Sequence, residues 1–214
     1  MNKTNIAVYW VAIAIGASYM VPILTDMSGP AVIAWKVAGV AALTLWAGLS
    51  ARSVDGWLIT AVMMFGALGD GLLSAYGLAT GALAFVIGHC VAIMLYLRNR
   101  RTNVSASQRA LGLLVIPASL CIVWAVLHNA EGWWHAAIYT FFVAAMAAMA
   151  WTSRFPRYRT GLGAMAFLAS DLFIFANEGG LMSEIQSALT IWPLYFAGQA
   201  MIVWGVVRTQ QREI

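Results

Sequence analysis

Four ionisable side chains lie inside long apolar stretches of this sequence: Lys36, Asp70, His89 and Asp171. Groups of these types within hydrocarbon mark substrate sites, proton relays and ion paths. Each of the three formally charged ones costs about 2.5–3.5 kcal/mol at the centre of a membrane helix. A cost of that size turns such residues toward the interior of a bundle and toward one another. Hydrogen-bonding companions recur around them at helical spacing. Asp70 and Ser74 are i,i+4, as are Phe85 and His89, and Trp192, Tyr195 and Gln199 share one helix face at i, i+3 and i+7. Ser170 directly precedes Asp171.

The elements that must carry these residues follow from composition. Hydrophobic residues make up 62% of the 214 positions and charged residues 9%, with a mean hydropathy of +0.81. A soluble domain carries about a quarter charged residues, so too few are present here to cover a water-facing surface, and lipid is the solvent. A crossing needs roughly 20 apolar residues. The expected spans are Ile6–Leu24, Ala31–Leu49, Trp57–Tyr76, Gly77–Leu97, Ala110–Leu127, Trp133–Trp151, Thr160–Ala176 and Ala188–Val207. The third and fourth are separated only by a Tyr76-Gly77 turn, with Gly81 a second candidate for the start of the fourth helix. Pro117 predicts a bend in the fifth. The apolar run after Met1-Asn2-Lys3 is too long for a signal-peptide core and reads as a retained first span. The fold class expected is all-α, a polytopic membrane bundle of eight transmembrane helices forming one transmembrane domain over 1–214.

Basic residues orient the bundle. Lys3, Arg52, Arg98, Arg100, Arg101, Arg109, Arg154, Arg157, Arg159, Arg208 and Arg212 all fall in even-numbered connections or at the two ends. The odd-numbered connections hold none, and instead carry Asp26, Glu131, Glu178 and Glu184. The positive-inside rule then puts both termini in the cytoplasm, and the expected location is a bacterial inner (cell) membrane. Gly69-Asp70 with Gly88-His89, against Ser170-Asp171 with Gly198-Gln199, is compatible with a four-plus-four tandem repeat.

Depth ties the polar residues together. Spans three and seven run outward, and Asp70 and Asp171 each lie about six residues, roughly 9 Å, before the outer end. Lys36, Tyr195 and Gln199 lie about five to eleven residues after the outer end of inward-running spans, with His89 nearer the middle. One polar layer in the outer half is what a shared cavity requires. Plainer readings exist: an Asp–Lys pair can merely join helices, Lys36 can snorkel to the interface, His89 can be a packing residue, and Trp192 and Tyr195 can belong to the interfacial aromatic belt. Two acids at matched depth are harder to explain in those ways.

Other features exclude whole classes of function. No basic stripe interleaved with aromatics appears, which argues against nucleic acid despite a pI near 9.3. Cys90 and Cys121 fall inside apolar runs, and no Cys/His spacing fits zinc, so no metal or cofactor is expected. Gly66-x-x-Gly69-x-Gly71 follows no strand and is no dinucleotide fingerprint. Gly77-x-x-x-Gly81 suits close helix packing.

The chain resembles the YhhN-type lysoplasmalogenases, small eight-span membrane hydrolases. The similarity rests on Lys36 in span two, Gly69-Asp70 in span three and Gly81-x-x-x-Phe85-x-x-x-His89 in span four. It continues with Gly163-Ala164-x-x-Phe167-x-x-Ser170-Asp171 in span seven and Tyr195-x-x-x-Gln199 in span eight. Two departures stand out: Val37 replaces the Pro that often follows the span-two Lys, and Ala92 replaces a Tyr three residues after the span-four His. The resemblance implies hydrolysis of the vinyl ether bond of lysoplasmalogen to a fatty aldehyde and a glycerophospho-base, with a lysophospholipid or related ether lipid as substrate. It implies Asp70 and Asp171 as the acid/base pair, as glycosidases divide such work between two carboxyl groups. Lys36 would tune one of them or hold the phosphate. His89, Tyr195, Gln199, Ser74 and Ser170 would line the substrate site. A small proton-coupled transporter is the rival reading, since intramembrane Asp, Lys and His also mark ion pathways. Against it, the inner halves of spans three, four, seven and eight offer no titratable relay. Head group, chain length, oligomeric state and the identity of the acid stay open.

Overall fold

Hydrocarbon offers no hydrogen bonds to a peptide group, so an apolar run that crosses it must satisfy its backbone internally, as a helix. The computed structural model describes residues 3–212. Met1 and Asn2, which precede the expected first span, fall outside the described residues, as do Glu213, Ile214 and the side chains of Lys3 and Thr4. The helices are α1 (Lys3–Ser18), α2 (Met20–Leu24), α3 (Pro30–Ser50), α4 (Val54–Tyr76), α5 (Leu78–Arg98), α6 (Ala106–Leu127), α7 (Trp133–Thr152), α8 (Leu162–Glu178) and α9 (Glu184–Gln210). A π-helical turn, Arg157–Gly161, leads into α8. Among the described residues, eight stretches are long and apolar enough to cross a membrane, α1 and α2 together making the first. No strand occurs among them beyond one isolated bridge between Arg100 and Ser153. The expected all-α, eight-span fold is the one observed.

Local sequence sets the helix ends. Pro30 opens α3 behind Gly29, where its missing N–H costs nothing. Ser53 Oγ accepts from the Gly56 amide at 3.1 Å to start α4. Ser105 and Gln108 cap α6 reciprocally, at 3.4 and 3.3 Å. Gly77, at φ +91°, is all that separates α4 from α5, a backbone conformation that L side chains rarely adopt. Helix α5 begins at Leu78, so Gly81 lies within its first turn and does not mark its start. A Cβ on Gly81 would sit 2.5 Å from Leu73 Cβ, so its role is close packing of α5 on α4. Helix α6 continues unbroken through Pro117.

The chain divides into two compact units. The first comprises Met1–Leu95 and Val203–Ile214, the second Tyr96–Ile202. In the first, α3 packs on both α1 and α4. Val40, Leu43, Trp46, Ile59 and Met63 are fully buried there. The rings of Tyr9, Trp46 and Trp204 gather with centroids 4.5–5.7 Å apart. The Arg208 guanidinium lies 4.9 Å over Trp204.

In the second unit, α7 packs against α6 and α8. Buried Ala144, Ala147, Ala148 and Ala150 give α7 a small-residue face, which lets backbones approach where packing, not water exclusion, holds helices together. Val123, Leu127 and Phe175 form a core cluster with Tyr139 and Leu172 packed against it. The basic connections brace each other. The Arg154 amide donates to Asn99 O at 2.8 Å and the Arg101 amide to Thr152 O at 3.3 Å, while Arg154 Nε donates to Asn99 Oδ1. Those two even-numbered connections therefore lie at one end of their unit. Large apolar side chains such as Leu113, 74% exposed, face outward as lipid requires.

Candidate active site

The first unit holds one polar centre. Lys36 leaves the second turn of α3, and Asp70 and Ser74 stand one turn apart on α4. The Lys36 ammonium lies 3.8 Å from Asp70 Oδ1 and donates to Ser74 Oγ at 3.3 Å. Asp70 is buried, with its side chain 3% exposed against 15% for Lys36, while Ser74 is exposed. Lys36 thus turns inward to an acid. Tyr19, at the break between α1 and α2, is within Coulombic reach of Asp70. Trp35 Nε1 donates to Ser18 Oγ at 2.9 Å, fastening α3 to α1 just beside Lys36.

Helix α5 closes on α4 next to this pair because Gly69 has no side chain. The Phe85 ring occupies the place of a Cβ, 2.8 Å from where one would stand. His89 is buried one turn further along α5. Val37, at the position where the family often has proline, would be in ordinary contact, 3.5 Å, with a Cβ on Gly71.

The second unit holds another centre, around Asp171 on α8. Tyr139, from α7, donates its hydroxyl to Asp171 Oδ2 at 2.7 Å. Ser170 Oγ lies 3.3 Å from Asp171 Oδ1 and donates to Phe167 O at 2.9 Å. Ser170 is fully buried and Asp171 is 5% exposed. Alongside, the Phe167 ring meets Tyr195 edge-on at 5.1 Å, and Trp192 lies 5.5 Å from Tyr195. Helices α8 and α9 can come this close because Gly163 and Gly198 face each other: a Cβ on either would stand 2.7–2.8 Å from the other's carbonyl oxygen.

Gln199 completes the row. Its Nε2 donates to Tyr195 Oη at 3.3 Å, and its Oε1 is buried without a hydrogen-bond partner. Exchanging the two ends of the amide only moves the vacancy to the nitrogen. Buried polar atoms as a rule find partners, so this amide is suited to a water or a hydroxyl supplied from outside the chain. Thr140 Oγ1, one residue past Tyr139, is a second buried oxygen without a partner.

Of the residues singled out from the sequence, the structure joins Lys36, Asp70 and Ser74 in one group, Asp171 with Ser170 in another, and Tyr195 with Gln199. Tyr139 was missed. Its one signal was a tyrosine hydroxyl well inside the sixth span, where a buried phenol needs a partner. Among the described residues, no three His, Cys, Asp or Glu side chains gather to share a metal ion.

Eight membrane-length helices, with a buried carboxyl in α4 and another in α8, define a multi-pass integral membrane protein that keeps acids inside its spans. The chain belongs to the YhhN family, the family of the lysoplasmalogenases, whose model matches residues 31–206. That range takes in Lys36, Asp70, His89, Asp171, Tyr195 and Gln199. No curated protein and no solved structure matches the chain.

Proposed function

We propose that this protein is a membrane-embedded ether hydrolase that cleaves the vinyl ether bond of a lysoplasmalogen or a closely related ether lysolipid. The observation that carries the reading is the unlike company of two intramembrane aspartates in a YhhN chain. Asp70 is ion-paired with Lys36, and Asp171 is met by the neutral hydroxyls of Tyr139 and Ser170.

The chemistry needs one acid and one base. Asp171 carries the proton and delivers it to the β-carbon of the vinyl ether, leaving an oxocarbenium ion at the α-carbon. Asp70, the ion-paired carboxylate, stabilises that cation and takes a proton from the water that adds to it. The resulting hemiacetal collapses: Asp70 returns its proton to the glycerol oxygen as the carbon–oxygen bond to glycerol breaks, and the hemiacetal hydroxyl gives its proton back to Asp171 as the aldehyde leaves. The sum is vinyl ether plus water giving aldehyde plus alcohol. Positioned acid–base groups of this kind contribute about 10²–10⁴-fold each.

Lys36 serves both the carboxylate and a lipid phosphate. Gln199 and Tyr195 receive the glycerol hydroxyl or the water. With both ends in the cytoplasm of a bacterial cell, both aspartates fall in the outer halves of their spans, so substrate comes from the outer leaflet. Purified protein incubated with 1-alkenyl lysophospholipid should release fatty aldehyde, detected by mass spectrometry, and Asp70→Asn and Asp171→Asn should each abolish the release while the protein stays folded. Full activity in both variants, or ion transport without aldehyde, would overturn the reading.

A further inference from the structure

Tyr139 is not among the residues that the YhhN motifs name, yet it donates a short side-chain hydrogen bond, 2.7 Å, to Asp171 Oδ2. Its ring is held from several sides. It meets Phe175 edge-on at 6.1 Å and packs against the cluster of Val123, Leu127 and Phe175. Phe175 and Asp171 are i,i+4 on α8, so one face of that helix presents both the wall for the ring and the acceptor for the hydroxyl. A phenol fixed this way has little freedom to turn elsewhere.

We infer that Tyr139 is a positioning residue for proton transfer, assigning the acid proton of Asp171 to Oδ1 and aiming that oxygen at the substrate. A hydroxyl that donates to Oδ2 occupies the lone pair on which a proton would otherwise sit, so the proton of the neutral acid belongs on Oδ1. Ser170 agrees with that arrangement. Its hydroxyl has one hydrogen, and the nearer acceptor is Phe167 O at 2.9 Å, ahead of Asp171 Oδ1 at 3.3 Å. The carboxyl plane is thereby fixed, and the proton leaves from a defined oxygen. Tyr139 itself neither gains nor loses a proton in the step.

This inference rests on the acid role given to Asp171 above, and its test separates the two. Infrared difference spectra of the full-length protein in lipid nanodiscs, compared with Asp171→Asn, identify the carbonyl stretch of the protonated Asp171. In Tyr139→Phe, which keeps the ring and its packing, that band should persist and move to higher wavenumber, because the carbonyl oxygen has lost its donor. With alkenyl lysophospholipid, kcat should fall about tenfold, the loss of one hydrogen bond of ordinary strength, with KM unchanged. An unmoved band overturns the inference, and so does a raised KM at unchanged kcat, which would make Tyr139 a substrate contact. Absence of the band in the wild type overturns both the inference and the acid role of Asp171. If the wild type releases no aldehyde, the reaction fails, and the infrared shift still decides whether Tyr139 sets the proton's place.

Discussion

Asp70 and Asp171 are the same residue type, buried to the same degree and set roughly two turns before the ends of α4 and α8, yet their neighbours differ in kind. Asp70 faces a cation from another helix, Lys36 at 3.8 Å. Asp171 faces two neutral hydroxyls, one from α7 and one from its own helix. An ammonium within a membrane is costly to keep, and a hydroxyl is not. The first unit therefore carries an expensive device where the second carries a cheap one. Unequal surroundings are how a protein sets two carboxyls to opposite tasks.

The largest effects should come from the acids themselves. Asp70→Asn and Asp171→Asn should each lower the aldehyde-release rate by about 10²–10⁴-fold, measured as kcat on alkenyl lysophospholipid in detergent or nanodiscs. Equal residual activity near wild type would erase the contrast between the two centres. A sharper version removes the pair together. If Asp70 only neutralises Lys36, the double variant Lys36→Met/Asp70→Asn should regain activity. If Asp70 takes part in the chemistry, the double variant should be as inactive as Asp70→Asn alone.

Next in size is Lys36→Met, which takes the cation away from the buried Asp70 carboxyl and should cost about 3 kcal/mol of stability. Thermal denaturation against Asp171→Asn is the comparison that matters, since removing a neutral-hydroxyl acceptor should cost less. Gly198→Ala comes third, at about 1–3 kcal/mol from overpacking against α8, readable in the same melts. Ser170→Ala should be mildest, about 0.5–1.5 kcal/mol, because its single hydrogen serves Phe167 O first. A Ser170→Ala loss as large as that of Lys36→Met would mean the hydroxyl side of the contrast has been undervalued.

Much of this architecture was legible in the residues. Runs of about 20 apolar positions punctuated by arginines leave few ways to thread a membrane, and the observed helices follow them. The exception is telling: between Tyr76 and Gly77 no charge intervenes, so only the positive φ of one glycine shows where α5 begins. The π-helical turn at Arg157–Gly161 was likewise invisible, since nothing in Arg-Tyr-Arg-Thr-Gly distinguishes it from a loop. For the site, cost was the guide. Charged side chains in hydrocarbon announce themselves, and Lys36, Asp70 and Asp171 did. Which acid takes the lysine could not be read, because depth alone suits both. Tyr139 stayed hidden for the opposite reason: a neutral phenol inside a span costs little and does not stand out, and only the position of its hydroxyl sets it apart.

The meeting of Gly163 and Gly198 has a consequence for traffic. Where two helices touch main chain to main chain, no alkyl tail can thread between them, so the seam of α8 and α9 is a shut door at that level. A lipid approaching Asp171 has to arrive along another flank of α8, and bulky substitutions at this seam would disturb the doorframe before they touched the path.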